Sequence, residues 1–330
     1  MSIKVISFNL LSPLLCSHIQ FQNYNPDHLN PEIRLHKILQ ILNTMLKDKP
    51  IICLQEVSFN WKGDIERFFH VNNYYFFCIN YNKVGTGIAI PINTEILKVD
   101  YIQVGKHIKS NHPERIYYWK EEERNIRKSQ EPDKGFFQNL LETLEELVHS
   151  REESIKIIED LIDEAKCKQN IAVKLHLKMN EKEFIIYNYH MPCVFMRPIV
   201  QSLHIDALKS LINAHSLIPT ILVGDFNIKP NSTQYDYITR GIIEEEHNIY
   251  LYNTSHTSFT MKSVFEDGEP SFTCFSDTKF GGAFKDTLDY IFVTKNIKSL
   301  DAERFIISAT KMPNDICPSD HLPIYAKLEL

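Results

Sequence analysis

Glycine is scarce in this chain, ten among 330 residues, and the fifteen prolines are scattered. Neither is concentrated enough to make a low-complexity linker, and no internal repeat runs at solenoid periods. Long apolar runs are missing too: no stretch reaches the about eighteen apolar residues that a membrane-spanning helix needs. The first residues carry neither a basic region followed by an apolar stretch nor an Arg-rich, acid-poor presequence, so the expected location is cytoplasmic or nuclear. Seven cysteines, Cys16, Cys53, Cys78, Cys167, Cys193, Cys274 and Cys317, form an odd, dispersed set without a Cys-x-x-Cys pair. From that spacing neither a disulfide framework nor a zinc site is expected. Positive charge is in deficit, with a formal net charge of −6 and a pI near 6.2. Tight binding of long nucleic acid through bulk basicity is thereby excluded, and short ends or small substrates are favoured.

What the chain does contain is a series of apolar strands that finish on polar side chains. Val5 to Asn9, Ile51 to Glu56, Phe184 to His190 and Ile221 to Asn227 each read as a buried strand delivering an acid, amide or imidazole to its C-terminal end. Thr287-Leu288-Asp289-Tyr290-Ile291-Phe292 places an acid inside a strand, where a lone carboxylate is costly unless paired. Pro318-Ser319-Asp320-His321-Leu322-Pro323 sets an acid beside an imidazole just before a terminal strand, Ile324 to Leu330. Neighbours on an extended chain point to opposite sides, so Asp320 and His321 belong to one site yet touch different partners. Singly, each motif has an ordinary explanation: a turn at Asp225 and Asn227, a helix cap at Glu56, a surface loop at Ser-Asp-His. Together, six strands with polar ends imply one shared site.

The ordered set Asn9, Gln55-Glu56, Asn188-Tyr189-His190, Gly224-Asp225-Phe226-Asn227, Leu288 to Phe292 and Ser319-Asp320-His321 resembles the endonuclease/exonuclease/phosphatase superfamily, and it spans the chain from residue 9 to residue 321. The resemblance implies a four-layered α/β sandwich in which two mixed β-sheets pack face to face, helices cover both outsides, and the strand ends build one metal-dependent phosphoesterase centre. It further implies that Glu56 holds Mg²⁺ or Mn²⁺ with Asn9 nearby, and that Asp320 assists with that ion or a second one. In the same reading Asp225 accepts the proton of the attacking water and Asn227 holds that water or the phosphate. Asp289 orients His321, which donates to a phosphate oxygen, while His190 binds the phosphate from the other side. The residue types suit the chemistry: hard oxygens bind these ions, and hydrolysis must neutralise phosphate charge while positioning a water.

Phe265 to Thr273, Phe284 to Phe292 and Cys317 to His321 resemble the poly(A)-specific deadenylase group, the nocturnin- and Angel-like nucleases. In that group an aromatic five residues before the strand acid stacks on the substrate base, and Phe284 occupies that position; its other reading is a core residue at a strand start. Stacking of this kind contributes roughly 1–3 kcal/mol per base. The expected function is a divalent-metal-dependent phosphodiesterase acting as a 3′–5′ exoribonuclease on RNA 3′ ends. Hydrolysis of a small nucleotide, 2′-5′-oligoadenylate, phospholipid or protein–DNA phosphodiester is the alternative, and an inactive binding module is the least favoured. Met191 to Arg197 departs from the group's pattern. There Phe195 and Arg197 stand either as base-stacking and phosphate-contacting residues or as packing beneath a helix over 198–214.

One catalytic domain over 1–330 is expected, with a helical insertion at about 106–170. Apolar residues recur at helical spacing at Phe137, Leu140, Leu141, Leu144 and Leu147, and again at Ile155, Ile158, Leu161, Ile162 and Ala165. Between 136 and 165 nine acids face only Arg151 and Lys156. An acidic helical pair repels a polyanion, so a protein partner, a cap or lid edge, or a solvated hairpin is expected there rather than a nucleic-acid track. Tyr117, Tyr118 and Trp119, set among Arg115, Lys120, Arg124 and Arg127, read either as a single-strand contact or as a helix start.

Overall fold

Strand alternation here serves two apolar layers rather than one. The computed structural model describes residues 2–109, 151–241, 259–265, 267–279, 281–305 and 310–330. One six-stranded sheet contains β1 (Ser2–Asn9), β2 (Ile51–Gln55), β3 (Tyr74–Tyr81), β4 (Val84–Pro91), β13 (Lys298–Arg304) and β14 (Ile324–Glu329), in the order β13-β14-β1-β2-β4-β3. The other contains β5 (Glu95–Gln103), β6 (Ile171–Met179), β7 (Lys182–His190), β8 (Thr220–Asp225), β9 (Lys262–Ser263) and β12 (Asp289–Val293), in the order β5-β6-β7-β8-β12-β9. Both are mixed, with β1–β2 and β7–β8 parallel and the remaining pairs antiparallel. A short hairpin, β10 (Cys274–Thr278) with β11 (Gly282–Asp286), stands apart from either sheet.

Between the sheets lies a layer that includes Val5, Ile51, Cys53, Ile186, Ile221, Val223, Ile291 and Ile324. The intervening residues point outward. After the single-turn α1 (Pro26–Leu29) come α2 (Pro31–Met45) and α3 (Phe59–Val71), and Ile6, Phe8, Ile52 and Leu54 pack under those two. Tyr187, Tyr189, Leu222, Tyr290 and Phe292 pack under α4 (Arg151–Cys167), α5 (Pro198–Asn213) and α6 (Thr233–Thr239). Strands buried on both faces must be apolar throughout, which is why they read as unbroken runs in the sequence. Each fully buried aliphatic or aromatic side chain contributes roughly 1.5–3 kcal/mol.

Two details fix how closely the strands approach. Gly224 has a φ of +146°, and a Cβ there would lie 1.8 Å from the Tyr189 carbonyl oxygen, so only glycine lets β8 lie against β7 at this point. Across the sheets, Asn188 Nδ2 donates to the Leu54 and Gly87 carbonyls at 2.9 and 2.8 Å, and Gln55 Nε2 donates to Asn188 Oδ1 at 2.7 Å. This buried amide pair sets the register of one sheet on the other.

The expected helix over 198–214 is α5, and the second helix of the acidic insertion falls within α4. The first, at 137–147, and the Tyr117–Trp119 cluster lie outside the described residues. Strand β5, which precedes the insertion, was not anticipated; it is an edge strand in which Lys98 and Asp100 interrupt Ile96, Leu97, Val99, Tyr101 and Ile102.

Helix α4 is tied down through a buried imidazole. His204 Nδ1 accepts from the Tyr189 hydroxyl at 2.7 Å, and Nε2 donates to the Ala165 carbonyl at 3.0 Å, which fixes the neutral tautomer. Burial lowers its pKa from 6.5 to about 4. The folded state therefore takes up this proton at lower pH than the unfolded chain, and stability falls as pH drops through that interval. Between pH 7 and 5 the loss expected from this group is about 2 kcal/mol. Chemical denaturation at both pH values, on the wild type and on His204→Gln, measures it; equal pH dependence in the two proteins would refute the assignment.

Candidate active site

Register brings three polar residues side by side. His190 faces Asp225 across the parallel β7–β8 pair, and Asp225 faces Asp289 across the antiparallel β8–β12 pair. From the other sheet Asn9 ends β1 beside Gln55, and Glu56 follows directly. Glu56 adopts a φ of +55°, a left-handed conformation uncommon for a residue with a side chain. The turn aims its carboxylate back across the strand ends, where Oε1 accepts from Asn9 Nδ2 at 3.0 Å and Oε2 from the Ser12 amide at 2.9 Å.

Asn9 links the two sheets' carboxylates. Its Nδ2 also donates to Asp225 Oδ2 at 2.9 Å, and its Oδ1 accepts from the Leu11 amide at 2.9 Å. Asn9 thus orients Glu56 and Asp225 while its oxygen is engaged by the backbone. His190 Nε2 stands 3.6 Å from Asp225 Oδ2 and 3.9 Å from Glu56 Oε1. Asn227, held at a φ of +50°, donates its amide to Asp225 Oδ1 at 2.9 Å and its Nδ2 to the Met191 carbonyl at 3.0 Å. That second bond ties the end of β8 to the loop that follows His190.

His321 is oriented by a chain of two bonds. Its Nδ1 lies 2.8 Å from Asp289 Oδ2, which also accepts from the Thr273 hydroxyl at 2.6 Å. Nε2 is left facing the site, 3.8 Å from Asp225 Oδ2 and 3.9 Å from Asp320 Oδ1. Burial opposes charge on this imidazole. The surrounding acids Asp289, Asp225 and Asp320, together with Cys274, outweigh it and hold the pKa well above 6.5. These acids favour the charged, donating form of His321. Asp225 is fully enclosed, and burial raises its pKa above the ordinary carboxylate value. Asp320 is pushed up to about 6, again chiefly by burial.

The donor set fits a divalent cation. One ligand atom each from Glu56, His190 and Asp225 lie within 4.8 Å of one another, as do those of Asp225, Asp289 and His321. Asp320 Oδ1 is buried without a hydrogen-bond partner, and so is Asp289 Oδ1. Buried carboxylate oxygens lacking a donor are what a bound cation would satisfy.

Sequence reasoning missed Arg34 and Thr273. Arg34 is 1 % exposed on the inner face of α2; its Nε donates to the Pro318 carbonyl at 2.6 Å, and its Nη2 donates to the Leu10 carbonyl at 2.9 Å and to that of Leu11. It pins the turn after β1 to the loop carrying Asp320 and His321. The available signal was a charge standing in the apolar stripe with Ile38, Leu42 and Met45. Thr273 ended a stretch that carried the family resemblance, but its bond to Asp289, sixteen residues away, was not readable from it.

Of the expected substrate residues, Phe195 and Phe284 meet at a ring-centroid distance of 5.9 Å, with Lys229 Nζ 5.3 Å from the centre of the Phe284 ring. Lys229 is paired with Asp286 at 3.1 Å. Arg197 turns away toward the insertion, donating to Glu164 of α4, and its side chain is 57% exposed.

Residues 6–321 match the model of the Endonuclease/Exonuclease/phosphatase family. A CCR4-Not complex 3′-5′-exoribonuclease subunit Ccr4 from Aspergillus oryzae is 32% identical over 126 residues, covering 33% of this chain and 16% of that protein. The chain thus aligns with under a fifth of that relative's length. Among solved structures, ANGEL2, described as a 2′,3′-cyclic phosphatase, superposes with a TM-score of 0.68 at 18% identity over 99% of this chain and 95% of that one. The human Nocturnin catalytic domain superposes with a TM-score of 0.60 at 15% identity over 99% and 94%. From the two mixed sheets with outer helices to the polar strand ends that meet at one rim, the chain belongs to the Endonuclease/Exonuclease/phosphatase family.

Proposed function

We propose that this protein is a divalent-metal-dependent phosphodiesterase that removes nucleotides from RNA 3′ ends. The observation that carries the reading is the convergence of Glu56, His190, Asp225, Asp289 and His321 at one rim, with a pair of half-buried aromatics for a base. Partial identity to a Ccr4 exoribonuclease subunit supports the RNA substrate. Mg²⁺ is the proposed ion, with Mn²⁺ as a substitute, held by Glu56 and assisted by Asp320. Bound there, it would neutralise phosphate charge and acidify the attacking water.

The remaining work falls to the chain's own groups. Asp225, a raised-pKa carboxylate held by Asn9 and the Asn227 amide, takes the proton of the attacking water. His321, charged and fixed by Asp289 and Thr273, donates from Nε2 to a phosphate oxygen. His190 donates from the opposite side, and Asn227 positions the phosphate. Phe284 and Phe195 stack on the terminal base. Arg197, engaged with Glu164, contacts phosphate only where it shares that partner.

The likeness to ANGEL2, a 2′,3′-cyclic phosphatase solved in complex with adenosine-2′,3′-vanadate, favours one specific competitor: hydrolysis of a 2′,3′-cyclic phosphate end. The deciding experiment incubates the protein and Mg²⁺ with 5′-labelled RNA ending in adenylates, the same RNA ending in a 2′,3′-cyclic phosphate, matched DNA, 2′-5′-oligoadenylate and a phosphoinositide. Laddering of the adenylate-ended RNA alone is expected; turnover only of the cyclic end, or only of a non-RNA substrate, would reject the reading. Phe284→Ala is expected to raise KM by roughly 5- to 150-fold, the equivalent of one lost stacking contact, with kcat little changed. An unchanged KM would remove Phe284 from the base site. Cytoplasm or nucleus is the proposed workplace; among the described residues no helix is long and apolar enough to cross a membrane. A protein partner at the acidic residues 136–165 belongs to the same proposal.

A further inference from the structure

Beside the proposed catalytic cation lies a second donor set of different chemistry. Cys274 forms an isolated antiparallel bridge with His321, fixed by the Phe275 amide donating to the Asp320 carbonyl at 3.0 Å and the Leu322 amide donating to the Thr273 carbonyl at 2.7 Å. Directly opposed residues of an antiparallel pair project to the same side. One ligand atom each from Cys274, Asp320 and His321 accordingly lie within 4.8 Å of one another. The thiol is buried at 4 % exposure, and Asp320 Oδ1 is buried without a hydrogen-bond partner. The Asp320 side chain, 13% exposed, provides the way in.

Three features separate this set from a site for Mg²⁺. A thiol is a soft ligand that hard cations avoid and Zn²⁺ or Cd²⁺ prefers. Sulfur, nitrogen and carboxylate oxygen with one position open match the tetrahedral preference of zinc, whose bonds run about 2.3 Å to sulfur and about 2.0–2.2 Å to nitrogen and oxygen. Asp289 already holds His321 Nδ1 at 2.8 Å, the outer-shell carboxylate that typically orients a zinc-binding imidazole through its other nitrogen.

We infer that Cys274, Asp320 and His321 form a site for a thiophilic divalent cation such as Zn²⁺, and that its occupation switches the phosphodiesterase off. Binding releases the thiol proton, and any proton on His321 Nε2, to solvent; the metal would take the sulfur, the nitrogen and Asp320 Oδ1, with a water in the fourth position. Inhibition follows because the metal occupies His321 Nε2, the atom that faces the catalytic site, and Asp320 is withdrawn from the catalytic cation. The inhibitory half rests on the proposed function, whereas the binding half does not.

The test uses the full chain with the two exposed thiols replaced, Cys167→Ser and Cys193→Ser, so that they do not compete. X-ray absorption on this protein, loaded with one equivalent of Zn²⁺ in excess Mg²⁺, is expected to show one sulfur in the zinc shell. A shell of oxygen and nitrogen alone would overturn the site, whether or not any variant folds. Adding Cys274→Ser is expected to abolish the sulfur signal and, against that variant's own Mg²⁺-supported rate, to raise the inhibiting Zn²⁺ concentration by about 10–100-fold or more. Equal inhibition with and without Cys274 would mean that zinc acts by displacing Mg²⁺ and would overturn the switch. A sulfur-ligated zinc in a protein that hydrolyses no substrate would reject the proposed function and leave the site standing.

Discussion

Replacing Asp225 with alanine is expected to lower metal-dependent hydrolysis by roughly 10²–10⁴-fold, the usual contribution of a positioned general base. The carboxylate occupies the middle of three adjacent strands, with His190 on one side and Asp289 on the other. Its two oxygens accept from Asn9 and from the Asn227 amide, so it is held rigidly in the geometry that an attacking water requires. Burial raises its pKa, which strengthens it as a base, while His321, His190 and the Asn9 amide act in the opposite direction and favour its charged form. Loss of the acceptor leaves the Asn9 Nδ2 its other partner, Glu56, so the fold is expected to survive. Steady-state kinetics on a matched substrate, with a thermal melt to show that the variant is folded, checks the claim. A folded variant with unchanged turnover would transfer the role elsewhere.

Glu56→Gln is expected to weaken Mg²⁺ binding by at least the roughly 10–100-fold that follows from loss of an outer-shell partner, and to lower activity in parallel. The substitution keeps the volume and the acceptor for the Ser12 amide but removes the charge. It thereby separates the ligand role from the structural one. Titration calorimetry reads the affinity without substrate. Wild-type affinity in the variant would assign the cation to Asp320 and its neighbours instead. The left-handed backbone at position 56 is expected to persist in the variant, because the Gly85 carbonyl holds the following Val57 amide at 2.9 Å.

Much of this arrangement was legible in the chain itself. Strands buried on both faces leave apolar runs, and a polar residue at the end of such a run has few explanations other than a shared rim. Asn9, Glu56, His190, Asp225 and His321 were all accessible to that reasoning. Side chains with a local reading were less so. The partners of Asn9 were not readable, because its amide is aimed by contacts to residues 47 and 216 positions away, which make it a bridge between the carboxylates of Glu56 and Asp225. Arg197, expected either on phosphate or beneath α5, meets Glu164, thirty-three residues earlier on the acidic helix.

Cysteine shows the boundary most clearly. Spacing alone gave no metal site, because zinc modules are recognised by ligands close in sequence. Cys274 stands 46 and 47 residues before Asp320 and His321, and only the bridge between β10 and the loop before β14 sets them together. Hydrophobic periodicity is a local property, so the sequence by itself determined individual strands, the helix over 198–214 and the set of polar strand ends, while the two-sheet sandwich was what the family resemblance implied. Which of those ends touch, at what distance, and with what charge was decided by tertiary structure. Register across β7, β8 and β12 and the Asn188–Gln55 bridge between the sheets act between residues far apart in the chain, where no local pattern records them.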